Sequence, residues 1–186
     1  MKARIFSFLL LACSVSLAQS HPIDPALSKI TIHVDKTGVF SFAGDKHEIA
    51  APIASGAVDE KAGTVEFTIQ SSTLKVLDPQ LDENKRAEVQ KTMLGPSVLD
   101  TAQYPEIKFR STKATPSGQN AWIVIGDLTL HGQTHPVTLP VKKESGTYSG
   151  STKLKQTDFG ITPVSVAGGT VKVKDELKLD FQVVTH

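Results

Sequence analysis

The sequence contains only a few motifs in which nucleophilic or titratable residues have the spacing of a catalytic site. Ser72 and Lys75 have the S-x-x-K spacing, and Lys36-Thr37-Gly38 spells K-T-G. Both motifs occur in β-lactamases, where the nucleophilic serine opens a helix. Here Ser72 follows directly on a strand pattern, K-T-G precedes S-x-x-K, and S-D-N, G-x-S-x-G and H-E-x-x-H are all absent from the sequence. We therefore predict no catalytic residues and expect that the protein is not an enzyme.

The arrangement nearest to a metal site is His47-Glu48. Adjacent residues on a strand point to opposite faces and chelate a metal poorly unless a turn brings their side chains together. The preceding segment, Ala43-Gly44-Asp45-Lys46, carries such a turn signal. A metal-dependent activity at His47 with Asp45 therefore stays open as an alternative. A surface turn explains the same residues, and we predict no metal site.

The N-terminus has the three parts of a secretory signal peptide. Residues 1–4 are basic, residues 5–15 are almost uninterruptedly apolar, and Ser16-Leu17-Ala18 supplies small residues before a cleavage point. The sequence predicts a signal peptide over residues 1–18 and one exported domain over residues 19–186. Cys13 is the only cysteine, and the segment that ends at it also resembles a bacterial lipoprotein signal, so membrane attachment through an acylated Cys13 stays open.

The overall charge gives no indication of a nucleic-acid partner. Lys and Arg number 20 against 19 Asp and Glu, which leaves a formal net charge of +1. A near-neutral chain lacks the basic surface that nucleic acid or an anionic membrane requires.

Most of the chain after residue 19 alternates apolar and polar residues with a period of two, which is typical of half-buried strands. The C-terminal segment is the clearest, with Leu177, Leu179 and Phe181 alternating with charged residues. Turn signals separate about eight such runs, which predicts an all-β antiparallel sandwich or barrel. His131 and His135 flank one of these turns and are expected to be solvated.

Residues 82–94 break this rhythm and predict a single inserted helix. Asp82 can cap its N-terminus, and Gly95-Pro96 would end it. Val89 and Met93 lie four residues apart and give a narrow apolar stripe, which we expect to seal one end of a barrel.

The segment from Trp122 to Leu130 is apolar at both parities, since Ile123 and Ile125 lie between its other apolar residues. Such a strand is covered on both faces, by the helix or by a neighbouring subunit. A homodimer is therefore left open.

The inward-facing residues are large and apolar, and from the residues alone they predict either a filled core or a hollow for a ligand. An eight-stranded barrel is just wide enough to be filled by side chains or to hold one small ligand. Side-chain alternation does not distinguish these alternatives.

Three segments resemble the signatures of the YceI-like family of polyisoprenoid-binding proteins. They are Tyr104-Pro105-Glu106-Ile107-Lys108-Phe109-Arg110-Ser111, residues 126–139 (GDLTLHGQTHPVTL) and Asp158-Phe159-Gly160-Ile161. The resemblance runs in order from about residue 28 to residue 184. The opening strands depart from the family pattern at residues 39–49, which are expected to form one end of the interior.

The resemblance implies an extended, lipocalin-like, eight-stranded antiparallel barrel in the bacterial periplasm. Its apolar tunnel would sequester or carry an isoprenoid chain or a similar amphiphilic lipid, with no other cofactor and no catalytic residue to transfer. A non-binding structural barrel stays open as the alternative. We predict that the tunnel, with Trp122 or Tyr148 near an opening, is lined by Phe40, Phe42, Phe67, Ile107, Phe109, Trp122, Leu128, Leu130, Leu139, Tyr148, Leu154 and Phe181.

Overall fold

Antiparallel strands make up most of the protein, as the alternating pattern predicts. The computed structural model describes residues 20–37, 46–166 and 171–186. The strands are β1 (Ser20–Pro22), β2 (Lys29–Val34), β3 (Lys36–Thr37), β4 (His47–Ala50), β5 (Ser55–Asp59), β6 (Thr64–Gln70), β7 (Lys75–Val76), β8 (Glu106–Gly118), β9 (Ala121–Leu130), β10 (Gln133–Glu144), β11 (Thr147–Lys155), β12 (Ser165–Val166), β13 (Val171–Val173) and β14 (Glu176–Val184). Helix α1 spans Glu83–Leu94, and short 3-10 turns span Ser71–Thr73 and Gln156–Phe159.

The large sheet closes into a barrel. Three of its strands are each divided by a bend into two short strands, and the two edges of the sheet meet. Neighbours pair in the order β1-β5-β6-β8-β9-β10-β11-β14-β2-β4-β7. The pairs β1 and β2, β4 and β5, and β6 and β7 are each two parts of one strand with a bend between them. β14 pairs with β2, and the bridge between Ile23 and Thr185 joins it to the end of β1. These pairings form a ring of eight strands, which confirms the predicted barrel.

Cross-strand register brings inward side chains of neighbouring strands side by side. Phe109 on β8 lies opposite Phe67 on β6 and Leu128 on β9. The rings of Phe67 and Phe109 stack with their centroids 5.3 Å apart. Gly126 allows this packing, because a Cβ atom there would lie 2.5 Å from the Phe109 ring. A larger residue at position 126 would push that ring out of place.

The seam between β10 and β11 is paired over only a short stretch. Their register runs from Lys142 to Glu144 on β10. Farther along, the Thr152 hydroxyl donates to the carbonyl of Thr138. The backbone N–H and C=O groups of the even-numbered residues of β10 therefore point toward β11. Two of those residues, Pro136 and Pro140, have no N–H to donate. The hydrogen-bond ladder therefore stops where the prolines begin.

A second, three-stranded sheet, which the sequence analysis did not predict, lies at one end of the barrel. It has the order β12-β13-β3, with Val173 on β13 opposite Lys36 on β3. Because β3 continues from β2, this small sheet extends the barrel wall beyond the main ring.

The predicted helix over residues 82–94 is confirmed as α1. Asp82 caps it by accepting a hydrogen bond from the backbone N–H of Lys85 at 3.0 Å, and the N–H of Gly95 bonds to the carbonyl of Thr92. Met93 of the expected stripe is buried, and Val89 packs against the core. The helix thus turns its narrow apolar stripe toward the barrel interior.

Gln90 fixes α1 to the edge strand β7. Its side-chain oxygen accepts from the N–H of Val76 at 2.8 Å, and its nitrogen donates to the carbonyl of Leu74 at 2.7 Å. The amide therefore replaces the neighbouring strand that would otherwise pair with this part of β7.

The outer residues of β9 are less covered than the sequence predicts. Ile123 and Ile125 point outward and are half-buried, and neither belongs to the core cluster among the described residues. Coverage of this strip by a second subunit stays a prediction.

We predict that Gln90→Leu lowers the free energy of unfolding by about 2 kcal/mol, because a buried N–H and a carbonyl lose their partners. Urea unfolding measures the loss. Gln182→Leu on the exposed face of β14 is the matched control and should stay within about 0.5 kcal/mol of the wild type. Equal losses in the two variants would contradict a specific role for Gln90.

Candidate ligand site in the barrel interior

The barrel encloses two apolar cavities that share part of their walls. The larger, beside α1 and the three-stranded sheet, measures about 490 Å³, and the smaller, toward the other end, about 190 Å³. Both volumes far exceed the roughly 30 Å³ of a water molecule, and the larger lies within the usual range of ligand pockets. The residues that line both cavities are Ile30, Phe67, Leu128, Leu154 and Leu179. We call these five residues the waist, and the two cavities together the lumen.

The structure brings together on the lumen wall ten of the twelve residues predicted to line a tunnel. Phe67, Leu128 and Leu154 belong to the waist. Those that line only the small cavity are Phe109, Trp122, Leu139, Tyr148 and Phe181, and those that line only the large one are Ile107 and Leu130. Phe40 and Phe42 lie outside the described residues. A role of these side chains in binding a ligand stays a prediction.

A polar latch crosses the barrel at the small-cavity end. Glu60 directly follows β5, which lies four strands from β10 in the ring of eight and therefore opposite it. Its carboxylate accepts hydrogen bonds from the ammonium of Lys143 on β10 and the hydroxyl of Tyr148 on β11. The Lys143 ammonium also lies 5.1 Å from the centre of the Tyr148 ring. Sequence patterns did not reveal this latch, because Glu60 is more than 80 residues from both Lys143 and Tyr148.

The contacts within the latch shift the pKa of each of its three side chains. The hydrogen bond from Lys143, reinforced by that from Tyr148, lowers the pKa of Glu60, and the same carboxylate raises the pKa of Lys143. Burial, and then the hydrogen bond to Glu60, raises the pKa of Tyr148. The latch thus holds Glu60 and Lys143 as a neutralised ion pair.

At the large-cavity end, His47 faces the lumen and is held from behind by a buried carboxylate. His47 on β4 lies opposite Val34 on β2, and both residues line the cavity. The Nδ1 atom of His47 is 2.6 Å from Asp78, whose side chain is 1% exposed. The other oxygen of Asp78 accepts from the backbone N–H of Glu48. This carboxylate fixes the imidazole ring, and no residue within 20–37, 46–166 or 171–186 hydrogen-bonds its Nε2.

The proposed metal pair receives no support from these contacts. His47 is bonded to Asp78, a partner that the sequence analysis missed because a lone aspartate between Leu77 and Pro79 carries no pattern. Asp45 lies outside the described residues. Within residues 20–37, 46–166 and 171–186, no three His, Cys, Asp or Glu side chains are grouped as a metal site requires.

The three signature segments contribute residues to the lumen wall, such as Ile107, Leu128 and Ile161, and they also meet in one cluster outside that lining. The rings of Tyr104 and His131 lie 4.5 Å apart, and His131 Nδ1 is 3.1 Å from the carbonyl of Phe159. The ring of His135 meets that of Phe159 edge to face at 5.4 Å. His131 and His135 are half-buried, so the prediction of solvated histidines is wrong; packing against the buried Phe159 is the reason.

In the part of the chain that the structure describes, none of the helices has the length and apolar character that crossing a membrane would require.

The lowered pKa of Glu60 predicts a pH-dependent contribution of the latch to stability. Because this carboxyl has a lower pKa in the folded chain, it stabilises the fold above its ordinary pKa of 4.5, and the contribution disappears as the pH falls through the folded value. We expect Glu60→Gln to be less stable than the wild type at neutral pH, by at most about 1 kcal/mol because Glu60 is half exposed. The difference should vanish in strong acid.

Urea unfolding at pH 7 and pH 3 measures this difference. Glu66→Gln, at an exposed position on β6, is the control and should show no such difference at either pH. A gap between wild type and Glu60→Gln that is the same at both pH values would contradict the latch.

Comparison with known proteins agrees with this architecture. Residues 22–185 match the YceI-like domain. A UPF0312 protein of Pseudomonas savastanoi pv. phaseolicola is 30% identical over 143 residues, which cover 69% of this chain and 74% of the relative. A UPF0312 protein of Vibrio cholerae is 30% identical over 120 residues, which cover 59% of this chain and 62% of that protein.

The crystal structure of Burkholderia cenocepacia BcnA shares the fold. It superposes with a TM-score of 0.62 at 21% identity, covering 87% of this chain and 98% of that one. The sequence match over nearly the whole described chain and the shared barrel lead to one conclusion: the chain belongs to the YceI-like family.

Proposed function

We propose that the protein is a periplasmic carrier that sequesters one amphiphile with a long isoprenoid or similar hydrocarbon tail in the lumen. One observation carries this proposal: the two cavities share the waist and are lined mainly by apolar side chains. A hydrocarbon chain fits such a space, whereas a polar ligand would lose its hydration without compensation.

The free energy of binding would come from burial of the tail. Each buried methylene contributes about 0.8 kcal/mol, so a chain that extends through both cavities gains far more than one that rests in either alone. The rings of Phe67 and Phe109 and the branched side chains at the waist offer contact surface without hydrogen-bonding demands. The lumen therefore selects a ligand whose tail is long and apolar, and it does not distinguish an isoprenoid tail from another hydrocarbon tail.

The N-terminal segment supports an extracytoplasmic site of action. Residues 1–18 have the features of a signal peptide, and the proposed mature protein begins at residue 19. Attachment to the membrane would follow only if Cys13 were acylated. A lipid carrier outside the cytoplasm needs no catalytic group, and we propose that the protein is not an enzyme.

We predict that Leu154→Trp reduces the lipid that copurifies with the protein at least fivefold, because the larger side chain fills the waist. The protein is purified from its native host and extracted with organic solvent, and the lipid per mole of protein is measured by mass spectrometry. Lys155→Trp places the same side chain on the outer face of β11 and should leave the lipid content unchanged.

Urea unfolding checks that both tryptophan variants are folded. Repeated extracts of wild-type protein that contain no stoichiometric lipid would overturn the carrier and favour a non-binding structural barrel. Equal lipid in Leu154→Trp and wild type would exclude the lumen as the binding site.

A further inference from the structure

The two ends of the lumen differ in charge. Among the described residues, the charged side chains that line the small cavity are Asp59 and Glu60. Glu60 is paired with Lys143 in the latch, and Asp59 is buried and accepts a hydrogen bond from the N–H of Ala62. The charged side chains that line the large cavity are Lys36, Lys85, Glu88 and Lys172, together with the titratable His47. The large-cavity end is thus the cationic one.

Lys36 is the cation placed most directly toward the lumen. It continues the inward row of Ile30, Ile32 and Val34, all of which line the large cavity, because alternate residues of an extended chain point the same way. Lys36 is also directly opposite Val173, another lining residue. A lysine at the end of an apolar row places its ammonium at the rim and its stem along the wall.

The charge of Lys36 is not neutralised within the described part of the chain. The neighbouring Asp35 points to the other face and already pairs with Lys46 at 3.1 Å and Lys174 at 3.7 Å. No ion pair joins Lys36 to any residue in the described ranges, whereas Lys85 lies 3.6 Å from Asp82. An ammonium that no described carboxylate neutralises, at the mouth of an apolar cavity, is suited to an anionic group that arrives with an apolar tail.

His47 supplies a second polar contact beside Lys36. Val34 lies opposite His47, and Lys36 is two residues beyond Val34 on the same face. Diagonal neighbours in a sheet are about 7–8 Å apart, a distance that one small anionic head group can span when both side chains reach toward it. Since Nδ1–H of His47 is held by Asp78, Nε2 can donate a hydrogen bond to an anionic head group only when the ring is protonated.

We infer that the ligand carries an anionic head group, a carboxylate or a phosphate, which lies between Lys36 and His47 while its tail passes the waist into the small cavity. This inference rests on the proposed carrier function and specifies the chemistry and direction of its ligand. The opposite orientation would place an anion against Asp59 and Glu60.

Three probes with one tail and different heads test the inference. Dodecanoate, dodecyl phosphate and dodecan-1-ol are titrated into the delipidated protein by calorimetry. We expect Lys36→Gln to weaken dodecanoate and dodecyl phosphate about tenfold, as loss of a charge-assisted hydrogen bond predicts, and dodecan-1-ol less than twofold. Lys155→Gln, which removes an exposed lysine from the outer wall, is the matched control and should change none of the three. A difference between the two anionic probes in wild type would tell a carboxylate ligand from a phosphate one.

The outcomes separate the head group from the carrier function. If wild type binds dodecan-1-ol as tightly as the anions, or if Lys36→Gln weakens all three probes equally, the anionic head group is overturned and the carrier stands. If none of the probes binds and native-host protein contains no lipid, both proposals fail. Lys36→Gln removes no ion pair among the described residues and leaves the Asp78–His47 hydrogen bond in place. We therefore expect the variant to stay folded, so that a loss of affinity reports on the head group.

Discussion

Antiparallel pairing around a complete ring is the constraint on which the rest of this structure depends. Once β14 pairs with both β2 and the end of β1, alternate side chains of every strand must share one enclosed interior. Large apolar residues then meet across neighbouring strands, as Phe67, Phe109 and Leu128 do. The lumen follows from this closure and from inward side chains that do not fill it.

The two ends of the lumen are closed by different elements, so the two ends of the barrel are not equivalent. The small-cavity end is crossed by the latch from Glu60 to Lys143 and Tyr148, which joins opposite sides of the wall. The large-cavity end is covered by α1, which Gln90 attaches to β7 by two hydrogen bonds.

Local sequence patterns predicted the strands, their inward residues and the helix. The contacts between distant parts of the chain depend on strand pairing, which these patterns do not reveal. A period of two identified the inward residues such as Leu139, and capping signals located α1 to within one residue. The latch and the Asp78–His47 contact depend on which strands become neighbours, information that no short segment carries. The hollow itself depends on ring closure and side-chain volume, so alternation left a filled core and a ligand cavity equally open.

The central claim is that one hydrocarbon chain occupies the lumen from the large cavity to the small one. A crystal structure of the protein saturated with terminally brominated hexadecanoate tests it most directly, because the anomalous signal locates the bromine. The account predicts a bromine peak beyond the waist, beside Phe109 and Leu139 of the small cavity. A peak found only on the outer surface, or a lumen packed solid with side chains, would contradict it.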